Sequence, residues 1–409
     1  MQKTIKALDF IIYWSIVLIP FFMAVAPAPM NVFMGLLIVA FVLKKILKKE
    51  SLFIGLSINT PLLLFFIITC VSVINAVNLS DSIRGGVLRL LQYILITFAV
   101  IDGLKDKKHL QITVIAIISG LLFTFCDEIW QVFTGHDFVR GYEPVLNIGL
   151  VRATASFKDS NTLGVYLSAL IPIVLGLALY YYKGVKKFFM ILLTFIVLVA
   201  AAFTYSRPTL LAIYVILLFF GIIRRDKMLI TIFVIFTLVS PFLLPKTVKD
   251  WARAVDYNPI RFMCNDDRIA VYLHSLNMIK AHPFIGVGAN SFMSSYKYYK
   301  TYPEYLGIST LDEMKAHNNI LHMAGEVGLI GLGIFFWFLF MLFKSCSFIY
   351  KTLKDDYARV ISLSLLAGII AFLINGLTES SLYYSRVALI FWFIVGLSLA
   401  LRRFTDGRN

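Results

Sequence analysis

An ionizable side chain inside a lipid-facing segment costs about 2.5–3.5 kcal/mol on insertion scales, so such residues are functional candidates before anything else is known. Arg89 stands inside a long apolar run, five residues after Arg84. Arg207 occupies the corner Tyr205-Ser206-Arg207-Pro208 between two apolar runs. His322 and Glu326, four residues apart, share an apolar run that begins just after His317. Guanidinium groups near a membrane interface suit phosphate or pyrophosphate, which they bind through bidentate charge-assisted hydrogen bonds. Histidine, with an ordinary pKa of about 6.5, suits general-base work. A lipid-linked pyrophosphate donor and an acceptor hydroxyl would use both. Each residue also has a structural alternative. Arg89 snorkels outward or pairs with Asp127 or Glu128; Arg207 marks a helix boundary; His322 and Glu326 pin one helix as an i, i+4 pair; His317 is a lone surface histidine.

The elements that must hold these residues follow from composition. The chain has 409 residues, 59% apolar and 15% charged, against about 25% charged in ordinary soluble proteins. With a mean hydropathy of +0.83, a soluble globule is excluded. Spanning helices need about 20 mostly apolar residues. Segments near 9–27, 30–44, 60–77, 86–103, 110–133, 161–182, 188–205, 208–223, 228–244, 319–343, 360–377 and 387–401 meet or approach that length. The expected fold is therefore all-α: a polytopic membrane protein of about twelve transmembrane helices with one large, partly helical periplasmic loop. It divides into spans one to nine (1–244), the loop (245–318) and spans ten to twelve (319–409). The first apolar run is followed at once by a second and is read as a retained helix.

The net charge of +15 raises the question of nucleic acid, but the basic residues form no stripe and no nucleic-acid motif. Of 38 Lys and Arg, 22 fall in alternate short connections and at both termini. By the positive-inside rule those connections, and both termini, are cytoplasmic, and most of the charge anchors helix ends beside anionic lipid.

The segment 245–318 is too long for a passive connection and is rich in aromatics such as Trp251, Tyr272, Tyr302 and Tyr305. Asp266 and Asp267 mark a helix start, Ile269, Tyr272, Leu273, Leu276 and Ile279 follow at helical spacing, and His282-Pro283 stops the run. Gly286-Val287-Gly288 reads as a turn; a phosphate cradle is the weaker alternative. Cys70, Cys126, Cys264 and Cys346 are too scattered for a disulfide framework. No outer Asp/His cluster has metal-ligand spacing, and the isolated Asp312 and Glu313 offer little, so no metal or other cofactor is expected.

Four stretches together resemble the O-antigen ligase and polymerase family: Arg152 through Gly164, Thr204-Tyr-Ser-Arg207, Arg268 through Gly288, and Ala316-His317-Asn318 continuing through Glu326 to Gly331. The resemblance covers about 150–340 by motif and the whole chain by topology. It implies a membrane glycosyltransferase of lipopolysaccharide biosynthesis in the cell inner membrane, with its active site facing the periplasm. The donor it implies is an undecaprenyl-pyrophosphate-linked glycan, and the acceptor a sugar hydroxyl of lipid A-core or of a second lipid-linked glycan. Carried onto this chain, Arg207 and Arg268 would bind the donor pyrophosphate and His317 would act on the acceptor hydroxyl. Arg152, Asn318, Arg89, His322 and Glu326 are candidate substrate-binding residues. The resemblance also implies no nucleotide and no metal. Direct displacement would invert the anomeric center, and no paired carboxylates argue for double displacement.

Some polymerases resembling this family carry an Arg and a Gly eleven positions apart in each of two outer loops. Here Gly164 follows Arg152 by twelve, and Tyr272 and Ile279 stand eleven after Arg261 and Arg268. With a modest first outer loop at 134–160, the pattern favors a ligase over a polymerase. A transporter or flippase, or a non-catalytic scaffold, also fits twelve spans, but no repeat relates the two halves and the polar residues gather in one loop.

Overall fold

The computed structural model describes residues 1–147, 150–243, 246–259, 262, 266–300 and 313–405. All twelve apolar segments are helical: α1 (Gln2–Val25), α2 (Pro27–Lys48), α3 (Asn59–Ser72), α4 (Leu79–Gly103), α5 (Lys107–Thr134), α6 (Ser160–Tyr180), α7 (Gly184–Phe203), α8 (Arg207–Arg224), α9 (Lys227–Leu243), α12 (Asn319–Thr352), α13 (Asp356–Asn375) and α14 (Ser385–Ala400). Between α9 and α12 lie α10 (Lys246–Ala254) and α11 (Asp266–Ala281). The protein is an all-α polytopic membrane protein. Among the described residues ten helices are long and apolar enough to cross a bilayer; the segments Asn59–Asn75 and Lys227–Val239 are shorter apolar helices. One element departs from pure helix. A hairpin of β1 (Val145–Asn147) and β2 (Leu150–Arg152) sits in the connection before α6, with Leu146 opposite Val151.

Helices α6, α13 and α14 are mostly buried and form the center, whereas α7 turns most of its surface outward. The close approach of α6 and α13 needs Gly368, where a Cβ would strike the Ala169 carbonyl.

The two ends of the bundle differ. At one, Lys44 joins Asp9 and Asp102 at 3.1 and 3.0 Å, Lys45 joins Asp102 at 2.9 Å, and Arg403 reaches Asp102 at 3.6 Å. This network draws the start of α1 and the segment after α14 to the same end. It also changes the expected role of Lys44 and Lys45, which are buried helix ties rather than exposed lipid anchors. Arg386 is a further buried cation that hydropathy alone passes over. It donates to the carbonyls of Met23, Ala24 and Ser156 and stacks 3.7 Å over Phe157.

At the other end the long connection docks onto a break in α12. Gly328, at φ 69 and ψ −179, interrupts the helix. Loop amides answer the freed carbonyls: Val287 N–H donates to Gly325 O at 2.8 Å and Gly288 N–H to Glu326 O at 3.0 Å, while Leu329 N–H donates to Pro283 O at 2.7 Å. Gly286-Val287-Gly288 is thus a turn whose last two amides are spent on α12 rather than on a phosphate. A Cβ at Gly286 or Gly328 would strike the opposing backbone. Gly328→Ala should therefore cost roughly 1–3 kcal/mol through its left-handed backbone alone, seen as a lower melting temperature in detergent and faster proteolysis within 281–300.

Candidate functional site

The site gathers where β2, α6, α8, α11, α12 and the α13–α14 connection meet at the loop-bearing end. Its center is Glu379, a carboxylate buried at 4% exposure in the turn after α13. Its Oε1 accepts from Arg268 Nη2 at 2.5 Å and from Asn161 Nδ2 at 2.8 Å, and its Oε2 lies 3.4 Å from His317 Nδ1. Asn161 also holds Arg152, accepting from its Nη2 at 2.8 Å, while Arg152 Nε donates to Thr204 O at 2.9 Å. One connected network therefore contains Arg152, Asn161, Arg268, His317 and Glu379. Burial pushes the Glu379 carboxyl up, but the His317 hydrogen bond and the Arg268 charge outweigh it and hold the group below the usual glutamate range. Burial works the other way on Arg152, whose pKa is lowered.

Local sequence explains each placement. Asp159 caps α6 by accepting from Thr162 N–H at 2.8 Å, which sets Asn161 in the first turn. The helix expected to start at Asp266 and stop at His282-Pro283 is α11, with Arg268 in its first turn. Asn318 caps α12 through Ile320 and Leu321 N–H at 2.8 and 3.0 Å and donates to Leu377 O at 2.8 Å. That leaves His317 immediately before the helix in a left-handed backbone, φ 48. Ala155 and Tyr205 share this uncommon conformation at φ 45 and 47, so three bends that L residues rarely adopt lie in the segments that carry the site.

Arg207 begins α8, three residues beyond the carbonyl that Arg152 binds. It donates to Phe262 O and stacks on that ring at 5.5 Å. Arg207 is therefore at the same end as the Glu379 network, joined to it through the Thr204–Ser206 corner. His322 and Glu326 form the i, i+4 pair at 3.3 Å, and Glu326 Oε1 also accepts from Phe292 N–H at 3.3 Å. Both are buried under the loop. Arg89 lies away from the network and lines a separate cavity of about 260 Å³. Its suggested partners are engaged elsewhere or sequestered: Asp127 accepts from Phe138 N–H at 2.6 Å, and Glu128 is fully buried. Neither pairs with Arg89 among the described residues. Tyr302, Tyr305 and Asp312 fall outside the described residues, as do Arg261 and Cys264. No group of three or more His, Cys, Asp or Glu able to hold a metal occurs among the described residues.

Residues 188–336 match the Wzy_C family model, described as O-antigen ligase. Over that segment the chain resembles O-antigen ligases. The match supports a membrane function of the O-antigen ligase or polymerase type, a glycan-processing enzyme whose family implies lipid-linked glycan substrates. No curated protein matches the chain. The matched segment contains Arg207, Arg268 and His317, and stops short of Glu379 and Arg152 on either side.

Glu379 is the residue that sequence reasoning missed. Its signal was available: Thr378-Glu379-Ser380 holds a lone carboxylate in the short turn between the last two spans. Because its folded pKa is depressed, its stabilization is fully present above the unfolded value of about 4.3 and is lost as pH falls through the folded value. Glu379→Gln should accordingly lower the melting temperature near neutrality, and the two proteins' curves should converge as the pH is taken below about 4.

Proposed function

We propose that this protein transfers a glycan from an undecaprenyl-pyrophosphate donor to an acceptor sugar hydroxyl, in O-antigen ligation to lipid A-core. The observation that carries the reading is Glu379 tied at once to Arg268 and His317, so that a phosphate-binding cation and a basic side chain share one buried anchor. With Nδ1–H donated to Glu379, the His317 imidazole has its basic lone pair at Nε2, available to an incoming hydroxyl. Arg268 and Arg207 provide guanidinium groups for the departing pyrophosphate, whose negative charge grows as the anomeric C–O bond breaks. Arg152 extends the positive field of the same site. The hydroxyl attacks opposite the leaving group, its proton passes to His317 Nε2, and the new glycosidic bond has inverted configuration. No step calls for a metal or nucleotide.

In this reading the loop-bearing end faces the periplasm, the termini are cytoplasmic and the membrane is the inner one. In the same reading the chain divides into spans 1–244, the loop 245–318 and spans 319–409. Ligation is favored over polymerization by the Arg152–Gly164 spacing of twelve rather than eleven and by the modest first loop at 134–160. A Cβ at Gly164 would strike the Thr209 hydroxyl, so this glycine permits the close contact between α6 and α8.

The test is reconstitution of the full chain with a lipid-linked donor and, in parallel, lipid A-core or a second lipid-linked glycan. Lipid A-core should be elongated. His317→Ala should slow transfer by about 10²–10⁴-fold while retaining donor binding, and Arg268→Gln should weaken both. Normal transfer by His317→Ala would remove the base assignment. Elongation only of the second lipid-linked glycan would make the protein a polymerase.

A further inference from the structure

The cavity of about 260 Å³ that contains Arg89 belongs to neither the Glu379 network nor the loop core. It lies between α3, α12, α14 and the head of α4. That head is a π-helical turn, Ser82–Val87, a distortion that often accompanies functional sites. Gly85 and Gly86 let it press directly against Asn290 and Ala289. Arg89 forms no hydrogen bond or ion pair among the described residues, although it is half-buried inside a spanning helix. A cation in that position needs an anion or water.

A second cavity of about 190 Å³ shares Asn290, Glu326 and Tyr383 with the first and opens past Asn78 and Asp81 at the mouth of α4. Its lining is mostly amide, hydroxyl and carboxylate groups, with Met293 and His322 among them and Lys315 on the side toward Tyr384, whose ring lies 3.4 Å from the Lys315 ammonium. The depth order is informative. Asn78 and Asp81 are at the mouth. Arg89 is ten residues into α4 from Leu79, beyond the π-helical turn. Phe335 lies seven residues beyond the Gly328 break in α12, about 10 Å further along that helix. From the outside inward the walls are sugar-like hydrogen-bonding groups, then a free guanidinium, then hydrocarbon.

We infer that these adjoining cavities seat a phosphorylated glycolipid as acceptor, with its phosphate on Arg89, its sugar among Asn78, Asn290 and Tyr383, and its acyl region against Phe335. Glu326 does not oppose this assignment. Its Oε1 is occupied by His322 and by Phe292 N–H, and its other oxygen accepts sugar hydroxyls. The inference rests on the transfer proposed above and assigns the second substrate to a chamber of its own, bordered by Lys315 on the side of the Glu379 network.

The test is native mass spectrometry of the full chain in detergent with three probes: lipid A, phosphatidic acid and undecaprenyl pyrophosphate. Wild type should retain lipid A in preference to phosphatidic acid. Arg89→Gln should weaken lipid A retention about tenfold, as for the loss of one charge-assisted pair, leave undecaprenyl pyrophosphate unchanged, and be partly rescued in Arg89→Lys. Arg268→Gln should do the reverse, and its failure would count against the donor site alone. If Arg89→Gln does not fold, Ser294→Trp at the chamber mouth must reduce lipid A retention by itself. Unchanged lipid A retention in the folded variant, equal loss of both lipids, no retention by wild type, or equal retention of phosphatidic acid would each overturn the inference.

Discussion

A buried carboxylate is costly unless positive and hydrogen-bonding groups surround it, and that constraint organizes the loop-bearing end of this protein. Glu379 satisfies it with Arg268 from α11, Asn161 from α6 and His317 from the approach to α12. Three elements distant in sequence are thereby held to one turn between α13 and α14. The same contacts that make the carboxylate tolerable fix the direction of a guanidinium and the tautomer of an imidazole. Structural need and preorganization for charge stabilization coincide in one side chain.

The loop could not present Arg268 and His317 to Glu379 unless it were itself fixed to the bundle. That attachment is a backbone seam, in which the interrupted helix α12 exposes carbonyls and the Pro283–Gly288 turn supplies amides to meet them. Irregular backbone at this depth is tolerated because protein covers it. Behind the seam, Val271, Met278, Val287, Phe292 and Tyr296 form a small core that joins α11 to the rest of the loop. The seam also places Glu326 and Asn290 on the walls of the Arg89 chamber, so the two candidate substrate sites share one supporting structure.

Much of this architecture was legible in the residues. Hydropathy located all twelve apolar helices, because twenty apolar residues in lipid have few alternatives to a helix. Spacing and an N-terminal acidic pair located α11. Ordered motifs pointed to Arg207, Arg268 and His317. What remained hidden depends on tertiary contact. Glu379 is a single acidic residue in a short turn, and nothing local reveals that a guanidinium, an imidazole and an amide converge on it. Asn318 looks like a ligand residue by its neighbors, yet its side chain is taken up by capping α12. Arg386 sits at the start of a span, and nothing local reveals that its donors are directed into interior carbonyls and the Ser156 hydroxyl. The Gly-Val-Gly turn suggests phosphate because sequence shows its free amides but not the broken helix that receives them.

The central claim is that Glu379 and His317 act as a unit in glycan transfer. The most direct measurement is a double-mutant cycle on the transfer rate of the reconstituted full chain, using Glu379→Gln, His317→Ala and the combination. The account predicts strong non-additivity: once His317 is absent, Glu379→Gln should add little beyond its effect on donor binding through Arg268. Rate losses that simply multiply would show that the two residues act independently and would contradict it.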